Sequence, residues 1–128
     1  MEKRAARILV VDDEAAIRGS LLAYLGDQGY DTDGAASAEQ ALELTRQRRY
    51  DLLIVDLRLP GMNGEQLIQR LNRNECPPGF LIHTGSTDFR LSAELRRAGL
   101  REHHVFAKPL FDLQQLLQGI EQRLARAS

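Results

Sequence analysis

Short apolar runs with no polar face, each closing on a polar residue, constrain this chain most strongly. Ile8-Leu9-Val10-Val11, Leu52-Leu53-Ile54-Val55 and Phe80-Leu81-Ile82-His83 are strand-length, and as strands they demand apolar cover on both sides. Val105-Phe106-Ala107 is a shorter run of the same kind. Tyr30–Ala36 reads as a weaker strand near an edge, because Asp31 and Asp33 interrupt it. Between these runs apolar residues recur at helical spacing. Ile17, Leu21, Leu22 and Leu25 precede a terminating Gly29, and Ala38, Ala41, Leu42 and Thr45 follow a Ser37–Gln40 pair that resembles a capping box. Leu67, Ile68 and Leu71 mark a third helix. Leu91, Leu95 and Ala98 mark a fourth, stopped by Gly99, and Leu113, Leu116, Leu117, Ile120 and Leu124 a fifth. Five strand–helix alternations predict an α/β fold, a doubly wound five-stranded parallel sheet with helices on both faces. Periodicity leaves the strand order open.

A chain of 128 residues, 43% hydrophobic and 27% charged, suits one globular domain. Its net charge of −1 does not favour direct nucleic-acid binding, which needs a strongly basic face. The arginines at 46–49 and 96–101 read as solvated helix ends. The single cysteine, Cys76, cannot form an internal disulfide, the first residues hold no apolar leader run, and no segment is long enough to span a bilayer. The expectation is a cytoplasmic protein with no membrane contact.

In a parallel sheet all carboxyl ends share one edge, and in doubly wound folds ligands bind there. The first run stops at Asp12-Asp13, the third at Asp56, the fourth at Thr84 and the last at Lys108. Crowded carboxylates repel one another unless a cation is present. Their hard oxygens suit Mg²⁺, with Mn²⁺ an alternative. A metal would leave one carboxylate able to attack phosphorus, while a hydroxyl and an ammonium suit phosphoryl oxygens. Any one of these residues alone is more simply a cap, a turn former or a surface group. Their joint occurrence at four strand ends reads as a phosphoryl site. The histidines do not add to it, since His83 lies within a strand and His103 and His104 are neighbours expected on different sides. Gly61-Met62-Asn63-Gly64 reads as a turn.

ILVVDDE, LLIVDLRLPGMNG, HTGS and FAKP, in this order, resemble the receiver domain of two-component response regulators, and the resemblance runs from Arg7 to about Arg123. It implies a single receiver over residues 1–128, with a core of about 7–124 and a flavodoxin-like (β/α)5 fold of strand order 2-1-3-4-5. It also implies a signalling switch rather than a turnover enzyme. Asp56 matches the phosphoacceptor, supplied by a sensor histidine kinase or a histidine phosphotransfer protein. Asp13 matches the direct Mg²⁺ ligand, with Asp12 acting through water and the Arg58 backbone carbonyl completing the set. Thr84 matches the switch hydroxyl and Lys108 its phosphoryl-pairing partner, and Lys108–Pro109 should be a cis peptide. The read-out surface should comprise residues 91–99, 104–108 and 113–124, facing an output domain, a partner protein or a second receiver.

Three positions depart from the family pattern. Val105 stands where an aromatic switch residue is usual, and strand alternation sends Phe106 to the opposite face. Arg58 and Ser86 flank the path of hydrolytic water. Leu110 replaces a usual Phe, with Phe111 following. A haloacid-dehalogenase-type enzyme would also form an aspartyl-phosphate, but it needs an acid where this chain has Arg58. A phosphorylation-independent interaction module of the same fold is the stronger alternative, favoured by Val105 and opposed by the intact Asp12, Asp13, Asp56, Thr84 and Lys108.

Overall fold

The computed structural model describes residues 5–86, 89–110 and 112–127. Five strands, β1 Arg7–Val11, β2 Asp31–Ala35, β3 Leu52–Val55, β4 Gly79–Thr84 and β5 Val105–Ala107, alternate with five helices. These are α1 Ala15–Asp27, α2 Ala38–Gln47, α3 Gly64–Asn72, α4 Ala93–Arg97 and α5 Leu113–Ala127. The strands form one parallel sheet in the order β2-β1-β3-β4-β5. This is the doubly wound order that the motifs implied, and β2, with its aspartates, is an edge strand. Among the described residues no helix is long and apolar enough to cross a membrane.

Strand alternation divides the apolar runs between two cores. Leu9, Val11, Leu53, Val55, Phe80 and Ile82 point to one face, where α2, α3 and α4 supply Ala41, Leu67, Ile68 and Leu95. Ile8, Val10, Leu52, Ile54 and Leu81 point to the other, against Leu21 and Leu25 of α1 and Leu116 and Ile120 of α5. Each fully buried side chain of this size is worth about 1.5–3 kcal/mol of transfer free energy, so both faces hold their helices by burial. Val105 packs with the first core and Phe106 with the second, as alternation requires. Gly119 makes room for Phe106, since a Cβ there would lie 2.8 Å from the ring's Cζ.

Helix ends follow local chemistry. Gly29 and Gly99 adopt φ of 94° and 95° after α1 and α4, the left-handed conformation in which glycine closes a helix cheaply. Ser37 caps α2 by accepting from the Gln40 backbone N–H at 3.1 Å. The returning Gln40 Oε1 passes over Ser37 and accepts from Ala36 N at 2.8 Å, so the expected box is displaced by one residue. A true reciprocal box, not anticipated, joins Asn63 and Gln66 at the start of α3, each bond 2.9 Å. Helix α4 is shorter than its spacing suggested. Ser92 accepts from Leu95 N at 3.1 Å and sets the start, leaving Leu91 ahead of the helix, packed on the core. A 3-10 turn at Glu102–His104 precedes β5. There exposed His103 and buried His104 hold their rings 4.0 Å apart rather than on opposite sides, because this turn is not the extended strand that separates neighbours. Phe111 and Ser128 lie outside the described residues.

Gly64, buried at the first position of α3, is the tightest point of the fold. A Cβ there would collide with the Asp56 carbonyl oxygen and lie 2.8 Å from both Leu57 Cα and Val55 Cγ1. Two of these neighbours are backbone that cannot swing away. Gly64→Ala should cost about 1–3 kcal/mol in urea unfolding. Gly19→Ala, in an α1 position with nothing within 4 Å, should instead gain about 0.5–1 kcal/mol. Equal effects of the two would contradict this packing.

Candidate functional site

Register delivers the site. Val11 lies beside Val55 and Val55 beside Ile82, so the residues after each strand emerge at one edge. The ladder carries on through the turn residues. Asp12 N donates to Ala35 O at 3.0 Å, Asp56 N to Val11 O at 2.9 Å and Lys108 N to Thr84 O at 2.9 Å. The backbone of each polar residue is therefore fixed by sheet hydrogen bonds before its side chain makes any contact.

Lys108 Nζ lies 2.8 Å from Asp12 Oδ2, 2.9 Å from Asp56 Oδ2 and 3.3 Å from Glu14 Oε1. Asp12 and Asp56 are only 2% and 3% exposed. Burial opposes the charge on Lys108, but the hydrogen bonds to Asp12 and Asp56 outweigh it and hold the ammonium above its ordinary pKa. Two nearly buried carboxylates are thus compensated by one ammonium. Their remaining oxygens are also bonded: Asp56 Oδ1 accepts from Arg58 N at 3.0 Å and Asp12 Oδ1 from Glu14 N at 2.9 Å. Arg18 secures the turn by donating to the Asp12 carbonyl at 2.7 Å.

Asp12, Asp13, Glu14 and Asp56 each offer a carboxylate oxygen, and these atoms lie within 4.8 Å of one another. Among the described residues, this cluster contains no histidine and could hold a metal ion. Three of its members were legible in the sequence. Glu14 was not singled out, although it follows the Asp pair directly. It occupies the N-cap of α1 without a side-chain cap bond, which leaves its carboxylate turned to Lys108.

The other candidates sit around this centre in different ways. Thr84 is 1% exposed at the end of β4, and its hydroxyl accepts from Ser86 N at 3.3 Å. The Arg58 side chain is exposed and joins the site through its backbone. Val105 packs on the α2–α4 face. The Lys108–Pro109 bond is cis. His83, one residue before Thr84, is 4% exposed, and neither ring nitrogen has a hydrogen-bond partner.

The model of the response regulator receiver domain family matches residues 8–121. Sporulation initiation phosphotransferase F of Bacillus subtilis is 31% identical over 92% of this chain and 93% of its own length. The DNA-binding response regulator MtrA of Mycobacterium tuberculosis is 39% identical over 69% of this chain. The match spans only 38% of that longer protein, whose name includes DNA binding. Relatives of this kind lend no support to the expectation that nucleic acid plays no part. Among solved structures, a CheY-like receiver domain protein from Methanospirillum hungatei superposes with a TM-score of 0.86 at 27% identity, covering 97% of each chain. With its sheet order, its acidic edge and its lysine in place, the chain belongs to the receiver domains of two-component response regulators, a family of signalling proteins.

Proposed function

We propose that this chain is a phosphoacceptor switch: one receiver over residues 1–128 with its core at about 7–124, working in the cytoplasm. A carboxylate oxygen of Asp56 attacks the phosphorus of a phosphohistidine on a sensor kinase or phosphotransfer protein. A P–O bond forms, the P–N bond breaks, and its electron pair leaves with the donor imidazole. The observation that carries this reading is the meeting of buried Asp56 and Asp12 on Lys108 Nζ at 2.9 and 2.8 Å beside a cluster of hard oxygen donors.

That donor set fits Mg²⁺ or Mn²⁺, held by Asp12, Asp13, Asp56 and the Arg58 carbonyl. Such an ion would neutralise charge on the nucleophile and the incoming phosphoryl oxygens. Lys108 moves from the Asp56 carboxylate to a phosphoryl oxygen, and Asp12 and Glu14 keep it close meanwhile. Thr84 exchanges its loop hydrogen bond for one donated to the phosphoryl group. Val105 lacks a ring to follow that motion, so the shift is read out by displacement of the β4–α4 segment. The surface of α4, β5 and α5 then engages an output domain, a partner protein or a second receiver. Pro109 shapes the backbone beside Lys108 as a structural residue.

Val105 is the observation that favours the second reading, an interaction module of receiver fold that works without phosphorylation. Acetyl phosphate with Mg²⁺, read by intact-protein mass, separates the two. The wild type should gain one phosphoryl group and Asp56→Asn none. An unmodified wild type, also inert to beryllofluoride, would establish the module instead.

Removing one partner of a buried ion pair costs about 3–5 kcal/mol. Lys108→Ala should therefore unfold at clearly lower urea, and Mg²⁺ should restore more stability to it than to the wild type, because a divalent ion replaces the lost ammonium. Equal Mg²⁺ responses would count against a metal among these carboxylates. Arg58→Ala should shorten the phosphoryl half-life roughly two- to fivefold, under about 1 kcal/mol of barrier, by uncovering the water path. An unchanged half-life would remove any role for that side chain.

A further inference from the structure

Helix α4 spans five residues, Ala93–Arg97, too few to sustain a helix by backbone hydrogen bonding alone. Leu95 is its one buried residue, so its start depends on the Ser92 hydroxyl. That hydroxyl has two partners. It accepts from Leu95 N at 3.1 Å as the N-cap, and it donates to Glu65 Oε2 of α3 at 3.2 Å. The same carboxylate oxygen accepts from Gln69 Nε2, one turn along α3, at 3.2 Å, which fixes its direction. Glu65 and Ser92 are both half-buried, and an ionised acceptor makes such a bond stronger than a neutral pair.

The two ends of this bond differ in freedom. Glu65 directly follows Gly64, whose N–H donates to Leu57 O at 3.1 Å and which has no room for a methyl group against the backbone of Asp56 and Leu57. The α3 end is therefore tied to the main chain that leaves Asp56. Ser92 belongs to the segment that follows Thr84, the β4–α4 connection. With one end fixed, displacement of the other breaks the bond. We infer that the Glu65–Ser92 hydrogen bond is a latch: closed, it holds the start of α4 against α3, and movement of the segment after Thr84 opens it and frees α4 to change its surface. In a chain with Val105 in place of a ring, the latch supplies a two-state element that the phosphorylation site can bias. The closed latch is a property of the unmodified chain; its release by phosphorylation rests on the phosphoacceptor reading above.

Aspartate at position 92 separates the latch from the cap. Ser92→Asp keeps an oxygen for Leu95 N and ranks among the best N-caps, but it has no proton to donate and meets the Glu65 carboxylate with like charge. Hydrogen exchange followed by NMR on the full chain, without metal or phosphoryl donor, reads the amides of Arg96 and Ala98, which donate to Ser92 O and Glu94 O. These amides should exchange about fivefold or more faster in Ser92→Asp than in the wild type, with those of β1 and β3 unchanged. Combining Ser92→Asp with Glu65→Gln reverses the bond, since the new amide donates to the new carboxylate, and should return exchange to within about twofold of the wild type. Unchanged exchange in Ser92→Asp would make the hydroxyl a cap alone, and a double variant that restores nothing would remove Glu65; either result overturns the latch. Beryllofluoride with Mg²⁺, its binding followed by fluorine NMR, then tests release. It should quicken Arg96 and Ala98 exchange in the wild type and add little in Ser92→Asp. Binding without faster exchange overturns the release step. Beryllofluoride that does not bind counts against the phosphoacceptor reading, while exchange in the unmodified variants still decides the latch.

Discussion

The arrangement rests on one ammonium held among three carboxylates. Lys108 meets Asp12, Asp56 and Glu14 within 3.3 Å, and no pair in this group is meaningful without the others. Two of the acids are almost wholly buried, and unpaired charges in such surroundings are strongly destabilising. The lysine therefore joins the ends of β1 and β3 to the end of β5, elements brought together only by the sheet. It also leaves the acids able to exchange their partner. The ammonium has a flexible stem and a third carboxylate, Glu14, 3.3 Å away to turn to.

The rest of the molecule keeps those charges in register. Two apolar cores grip the sheet from opposite sides, and the parallel ladders run past the last strand residues into the polar turns. Gly64 brings the start of α3 against the backbone of Asp56 and Leu57 with no room for a methyl group. The main chain of Asp56 is thus held by β1 on one side and by a helix terminus on another.

Val105 and Phe106 show how a one-residue difference is absorbed. Alternation sends them to different cores, and Gly119 on α5 provides the space that the phenyl ring fills. Phe106 is therefore a packing residue and no substitute for an aromatic at position 105. The same alternation turns His83 towards α1 and α5, where a polar ring sits without a partner beside an open cleft.

By itself the sequence determined the sequence of strands and helices, the two-sided burial of the central strands, and the glycine stops after α1 and α4, because these depend on the period of apolar residues and on local backbone conformation. It also determined that acids, a threonine and a lysine lie at strand ends, since the apolar runs stop there. Tertiary structure decided what no local pattern encodes. Glu14 joins the lysine because the N-cap of α1 leaves its side chain free to turn back over the edge. Helix α4 starts late because the Ser92 cap outweighs the helical spacing of Leu91. The orphaned nitrogens of His83 arise from the packing of α1 and α5 around β4. Contacts between residues far apart in the chain depend on how whole elements dock, and that is set by the summed burial of both cores.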